Sequence, residues 1–182
     1  MNPEITPDDV LNFWVEAGTE KWWTKDDAFD TAIRDAFAHT LRKAERGELD
    51  HWQETPNGTL ALIILLDQFT RNLNRNSAKA FKNDPKALAV AEAALDRGDD
   101  KRMRNGIMMF AYMPLMHSEN LADQRHCLAL MEATGLEPNM EAAHEHLDII
   151  ERFGRFPHRN NVLGRETTAE EQAFLDAGGF SG

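Results

Sequence analysis

The sequence predicts an all-α protein: antiparallel helical hairpins around one buried central helix. Three observations carry this prediction. Apolar residues recur at helical spacing, as Phe29, Ile33, Phe37 and Leu41 do at every fourth position. Helix caps and glycine stops punctuate the chain from end to end. The longest apolar run, Leu60–Leu66, could be a buried strand by periodicity alone, yet no other strand-like segment exists to pair with it. It therefore reads as a helix buried on all sides.

The elements follow in order. Thr6 offers a hydroxyl to the free amides of a first turn, with Pro7 at the first helical position and Asp8 and Asp9 at the positive end of the dipole. Val10, Leu11, Phe13 and Trp14 follow, and Gly18 is expected to close this helix. A second helix starts at Asp26 or Asp27 and stops at Gly47. Thr55-Pro56-Asn57-Gly58 reads as a turn before the central helix. Asp84 is expected to cap a fourth helix, with Pro85 at its first position and Gly98 at its end. A fifth is expected from about Asp99 to Tyr112, a sixth from Ser118 to Gly135, and a seventh capped by Asn139 and running to Arg152 before Gly154. Thr167 or Thr168, with Glu170 or Glu171 three residues on, forms a capping box for a last short helix. No true repeat of about 34 residues is present, and no linker divides the chain, so residues 1–182 are expected to form a single domain.

Charge and cysteine content narrow the function. The chain carries 20 basic and 31 acidic side chains, a net charge of −11, and such a field repels nucleic-acid phosphates and anionic membranes. The single Cys127 excludes a disulfide framework and a cysteine-based zinc site, and fits a reducing, cytoplasmic setting. The acidic N-terminal stretch lacks the features of a secretory leader. Seven apolar residues in the longest run fall far short of the roughly 20 that a membrane span needs.

Four segments are richer in ionisable groups than their surroundings. In the first, Asp67, Gln68, Arg71 and Asn72 follow the all-apolar run; Asp67 and Arg71 share a helix face, as do Gln68 and Asn72. Asp67 is expected to be part-buried, since a helix enclosed for two turns does not surface within one residue. The second holds His117, Ser118 and Glu119 at an expected helix N-terminus, followed by Asp123 and Gln124. Its His117 is a candidate acid or base because imidazole titrates near neutrality. In the third, His144 shares a helix face with Asp148 and Arg152; His146, two residues on, points the other way, so the pair cannot chelate one metal. Of the two, His144 is expected to face inward.

The fourth segment, residues 152–165, is the most unusual. It contains Arg152, Arg155, His158, Arg159 and Arg165 without one acid, in a strongly acidic chain whose last lysine is Lys101. Arginine is the fork-shaped donor for carboxylate and phosphate. Gly154, Pro157 and Gly164 imply irregular backbone with amides free to bind. The other features are structural in character: the tryptophans and methionines as core, and Cys127 as a buried thiol.

These segments together resemble the signature of a bacterial family of conserved uncharacterised proteins. The resemblance rests on Leu60–Phe69 with Arg71-Asn72, on Met113-Pro114-Leu115 with His117-Ser118-Glu119 and Asp123-Gln124, and above all on Phe153–Asn160 with Leu163-Gly164-Arg165. It extends from Phe13-Trp14 to Phe174-Leu175, with Thr70 standing where a proline is common. The resemblance implies a tetratricopeptide-repeat-like helical fold and no particular activity.

Three functional readings follow. In the leading one, the polar segments line a pocket for a small phosphate- or carboxylate-bearing ligand. There Arg155, Arg159, Arg165 and Arg71 bind the anion, Gln68, Asn72, Gln124, His158 and Asn160 add polar contacts, and Asp67, His117, Glu119 and His144 are the acid–base candidates. In the second, the chain is an adaptor whose helices hold a partner protein. In the third, the motif residues form a buried structural network. No cofactor is called for. A metal without cysteine would need His117, Glu119 and His144 to converge. Substrate and oligomeric state are not encoded in any motif.

Overall fold

The computed structural model describes residues 4–181, so the expectation about a leader, which includes Met1–Pro3, lies partly outside them. All regular structure among the described residues is helical. The chain divides into two compact units, one comprising residues up to Arg75 with Lys79–Pro114, the other Asn76–Ala78 with Leu115 onward.

In the first unit, α1 (Pro7–Trp23) begins as expected, with the Thr6 hydroxyl and the Asp9 carboxylate capping reciprocally. Gly18 closes the first helical stretch, as expected. At φ +77° it breaks the helix, which resumes to Trp23, and the Trp22 indole donates to the Trp14 carbonyl across the break at 2.8 Å. Helix α2 (Asp27–Glu45), capped by Asp26, buries Phe29, Ile33, Phe37 and Leu41 on one face. A 3-10 turn, Asp50–Glu54, leads into α3 (Pro56–Ile63). The expected turn at Thr55–Gly58 is instead the first turn of α3. Thr55 caps it by accepting the Gly58 amide, and Pro56 occupies the first position.

Helix α3 is the central element. Every residue from Leu60 to Leu66 is fully buried. It passes directly into a π-helical turn, Ile64–Phe69, and then α4 (Thr70–Leu73). Asp67 and Gln68 lie within this wider turn and are enclosed with their apolar neighbours. Around it pack α1, α2 and α5 (Asp84–Asp96), and an aromatic cluster of Phe13, Trp14, Phe29, Phe37, Phe69 and Phe110 closes the core.

Asp84 is the first residue of α5 rather than its cap, because its carboxylate is taken by Arg71. The expected helix from Asp99 to Tyr112 is absent. Two 3-10 turns, Asp100–Arg102 and Met108–Ala111, flank Gly106 in left-handed conformation, and the Asp100 carboxylate is drawn off to the Tyr112 hydroxyl. Trp14 and Trp52 are core residues, but Trp23 is 54% exposed, stacking on Phe110 and meeting Trp22 edge-on.

A single turn, α6 (Met113–Met116), lies where the chain passes from the first unit into the second. There α7 (Leu121–Thr134) and α8 (Glu137–Phe153) form a hairpin, with Gly135 left-handed at the end of α7. The cap of α7 is Asn120, not Ser118, whose hydroxyl instead donates to Asp123 at 2.6 Å. Asn139 is not a cap either, since its amide already donates to the Leu136 carbonyl inside the first turn of α8. Residues 154–168 run as irregular chain with one 3-10 turn, Pro157–Arg159, before α9 (Ala169–Asp176), which the Thr168/Glu171 capping box starts. Ile149, Ile150 and Phe156, with Leu121, Phe153, Phe174 and Phe180, form this unit's apolar centre. No helix among the described residues is long and apolar enough to cross a membrane.

Candidate functional site

The arginine-rich stretch of the second unit is folded into a clasp of ion pairs. Gly154, left-handed at φ +69°, ends α8 and sends the chain back across its own end. This places Arg165 against Glu119, where its two terminal nitrogens donate to the two carboxylate oxygens at 2.7 and 3.0 Å. The same guanidinium donates to the Asn160 side-chain oxygen at 2.9 Å and the Phe156 carbonyl at 2.9 Å. Glu119 also accepts the Phe156 amide at 2.8 Å. Burial opposes ionisation of Glu119, but Arg165 and the Phe156 amide outweigh it, and its carboxyl lies below the ordinary value.

A second pair mirrors the first. Arg155 grips both oxygens of Glu171 at 2.6 and 2.8 Å, and donates to the Glu166 carbonyl at 2.8 Å. Glu171 further accepts from Asn160 at 3.1 Å and from the Thr168 amide at 2.8 Å. Donation from Arg155 is the largest influence on its carboxyl, ahead of the opposing effect of burial, and holds it at about 2. Asn160, fully buried, thus bridges the two pairs, giving its amide to Glu171 and its oxygen to Arg165. Both bidentate forks, the geometry that would otherwise recognise a phosphate or carboxylate ligand, are filled by carboxylates of the protein.

The remaining motif residues complete the clasp. Arg159 is buried, donates to the His117 carbonyl at 2.9 Å and lies over the Phe156 ring. Gln124, also buried, gives its amide to the carbonyls of Met116 and Ser118 at 2.6 and 2.7 Å, stitching the chain before α7 onto that helix. His158 places Nδ1 in the interior with no hydrogen-bond partner among the described residues. Burial first, then the neighbouring Arg159 and His146, push its pKa down to about 3, so the ring is neutral at physiological pH.

The expectation that His144 faces inward is reversed. His146 is the buried one, its Nδ1 2.7 Å from the Ala142 carbonyl and its ring between Phe156 and Phe180. His144 is exposed on the outer face of α8, away from the clasp. The face that meets Phe156 decides this, and the two-residue spacing sends the other histidine to solvent. Among the described residues, no three His, Cys, Asp or Glu side chains form a group that could hold a metal, so His117, Glu119 and His144 do not converge as one.

In the first unit, Asp67 is completely buried rather than part-buried. It accepts from Arg71 at 2.8 Å and from Gln68 at 2.7 Å, and Arg71 reaches on to Asp84 at 3.0 Å. Asn72 turns away from this group and donates to Asp30 at 2.7 Å, where Arg75 also binds. The partners that the sequence reading missed are therefore carboxylates: Glu171, Asp84 and Asp30. One signal pointed to Glu171, because four arginines without an intervening acid need counter-charges from flanking chain, and the capping box supplies one.

Outside the clasp, the outer face of α8 and the side of α9 border an open groove of about 720 Å3. Ile149, Phe153 and Phe174 form its apolar part, and Glu141, His144, Glu145 and Asp148 its polar part. Arg152 lies across Phe153 and is tied to Glu170 at 3.0 Å.

Comparison with known proteins agrees with the helical architecture. A structure of a protein of unknown function from Agrobacterium tumefaciens has a TM-score of 0.90 with 43% sequence identity, over 94% of this chain and 97% of that one. No curated protein matches. The model of a family described as "Bacterial protein of unknown function (DUF924)" matches residues 10–179, and the chain belongs to that family.

Proposed function

We propose that this protein is a non-enzymatic partner-binding module, in which the arginine-rich signature is structural and the α8–α9 groove is the working surface. One observation carries the reading: Arg155 and Arg165 each spend a complete guanidinium fork on a protein carboxylate. An anion competing for either would have to displace a pre-organised intramolecular carboxylate and leave it part-buried and unpaired.

The groove has the character of a peptide site instead. Its floor is apolar, and Glu141, Glu145 and Asp148 recur at helical spacing along its wall. Arg152 is already neutralised by Glu170, so the surface left to a partner is acidic. The occupant is a basic segment of a partner protein that alternates cations with large apolar side chains. From residue 141 to residue 153, α8 offers about 18 Å at 1.5 Å per residue, room for about five extended residues. The setting is the reducing cytoplasm, which suits a single buried cysteine.

The test is selection of random peptides against the whole protein, followed by affinity measurement with Asp148→Lys. Both Glu145 and Asp148 are exposed, so reversal there leaves the fold intact. Enrichment of cationic–apolar peptides whose binding falls at least about tenfold in the variant is expected. Absence of enrichment, or enriched peptides that bind the variant equally well, would overturn the proposal.

A further inference from the structure

We propose that the first unit holds a binding site for a small oxyanion, a phosphate or carboxylate group, in the cleft between α2 and the end of α4. The site is independent of the peptide groove and of the signature clasp.

The cleft has a volume of about 310 Å3, at the lower end of the range for small-molecule sites. Asp27, Asp30, Thr31 and Arg34 line it from one face of α2, at helical spacing. Asn72 and Arg75 line it from the other side, and Lys25 stands at its edge. Its foundation is a buried network. Asp30 is 6% exposed, and its carboxylate receives the Asn72 amide at 2.7 Å and two nitrogens of Arg75, one of them at 3.1 Å. Both oxygens of Asp30 are thereby committed, so its charge is spent within the wall.

The cations of the cleft are not all spent. Arg75 uses Nε and one terminal nitrogen on Asp30, and its other terminal nitrogen engages no described group. Arg34 makes no hydrogen bond or ion pair with any described residue. Lys25 meets only Asp27, at 3.6 Å, with both side chains exposed. Three cations against two carboxylates leave the cleft at +1, in a chain of net charge −11. A guanidinium whose orientation is fixed by a buried carboxylate loses little freedom when it binds a second oxyanion. Arg75 is held in this way, and Arg34 closes from α2 as the second donor.

The experiment follows arginine Nε–Hε resonances by NMR, titrating sodium phosphate and, separately, sodium succinate against sodium chloride at fixed ionic strength. Saturable shifts at Arg34 and Arg75 in the low-millimolar range are expected. Arg34→Gln, on an exposed position, is expected to weaken binding about tenfold, while Arg46→Gln on the same helix's C-terminal flank leaves it unchanged. Response to phosphate alone, to succinate alone or to both supports the site and identifies the group it takes. Shifts that rise linearly with either salt, or binding that survives Arg34→Gln unchanged, would overturn it.

Discussion

Glu119 holds Arg165 through two parallel hydrogen bonds, at 2.7 and 3.0 Å, while also accepting the backbone amide of Phe156. One carboxylate therefore fixes both limbs of the loop that follows α8. A fork–fork pair of this kind is geometrically demanding, and a lysine cannot reproduce it.

Glu119→Gln retains the shape but loses the charge and one acceptor. It is expected to destabilise the protein by about 1.5–3 kcal/mol, the usual worth of hydrogen bonds to a charged group. Amide hydrogen exchange reads the effect locally: the Phe156 amide should lose protection in the variant. Unchanged protection there would show that the loop does not depend on the clasp.

The pH dependence of stability has two windows, which overlap between pH 4.5 and 3. His158 is held at about 3 in the folded chain against an ordinary 6.5, so the unfolded chain takes up its proton first as pH falls. Its contribution is fully present above 6.5 and declines by about 1.4 kcal/mol per pH unit as pH falls toward 3. Glu171, held at about 2 against 4.5, contributes stability that is present above 4.5 and lost as pH falls toward 2. Urea unfolding between pH 6.5 and 4.5 should therefore steepen with acid in the native protein and flatten in His158→Gln. Equal slopes for the two would refute the assignment.

Gly58 lies where α3 crosses the 3-10 turn before it, and a Cβ there would collide with the Trp52 carbonyl oxygen, a backbone atom that cannot swing aside. Gly58→Ala is expected to cost about 1–3 kcal/mol through overpacking, despite alanine's better helix propensity. A thermal unfolding midpoint equal to that of the native protein would disprove the close approach.

The parts of this structure legible in the sequence are those set by local pattern. Leu60–Leu66 declared a buried helix because nothing else in the chain could pair with it as a strand. Thr6 declared its helix, and the Thr167-Thr168 pair the last one, with Thr168 proving to be the cap, because capping is a four-residue affair. Asp67 and Arg71 are one turn apart, so their pairing was visible too. What was hidden depends on tertiary distance. Arg165 finds Glu119 at a separation of 46 residues, and Arg71 finds Asp84 at 13. No spacing rule reaches that far, so arginines destined for internal carboxylates looked like arginines waiting for a ligand. The π-helical turn at Ile64–Phe69 was equally invisible, since its residues have ordinary helical composition.

Asp67 offers the sharpest test of whether the first polar segment is scaffold. Its carboxylate is fully buried and binds Arg71, which also bridges to Asp84. Removing one member of a buried pair typically costs about 3–5 kcal/mol. Asp67→Leu should fall toward the lower end of that range, because Asp84 still compensates Arg71. Replacing both members removes the uncompensated charge, so Asp67→Leu with Arg71→Met should be less destabilised than the sum of the single variants. A double-mutant cycle by urea unfolding measures this coupling. A positive coupling of about 1 kcal/mol or more identifies the pair as structural. Strict additivity would mean that the two side chains do not depend on each other for their place in the core.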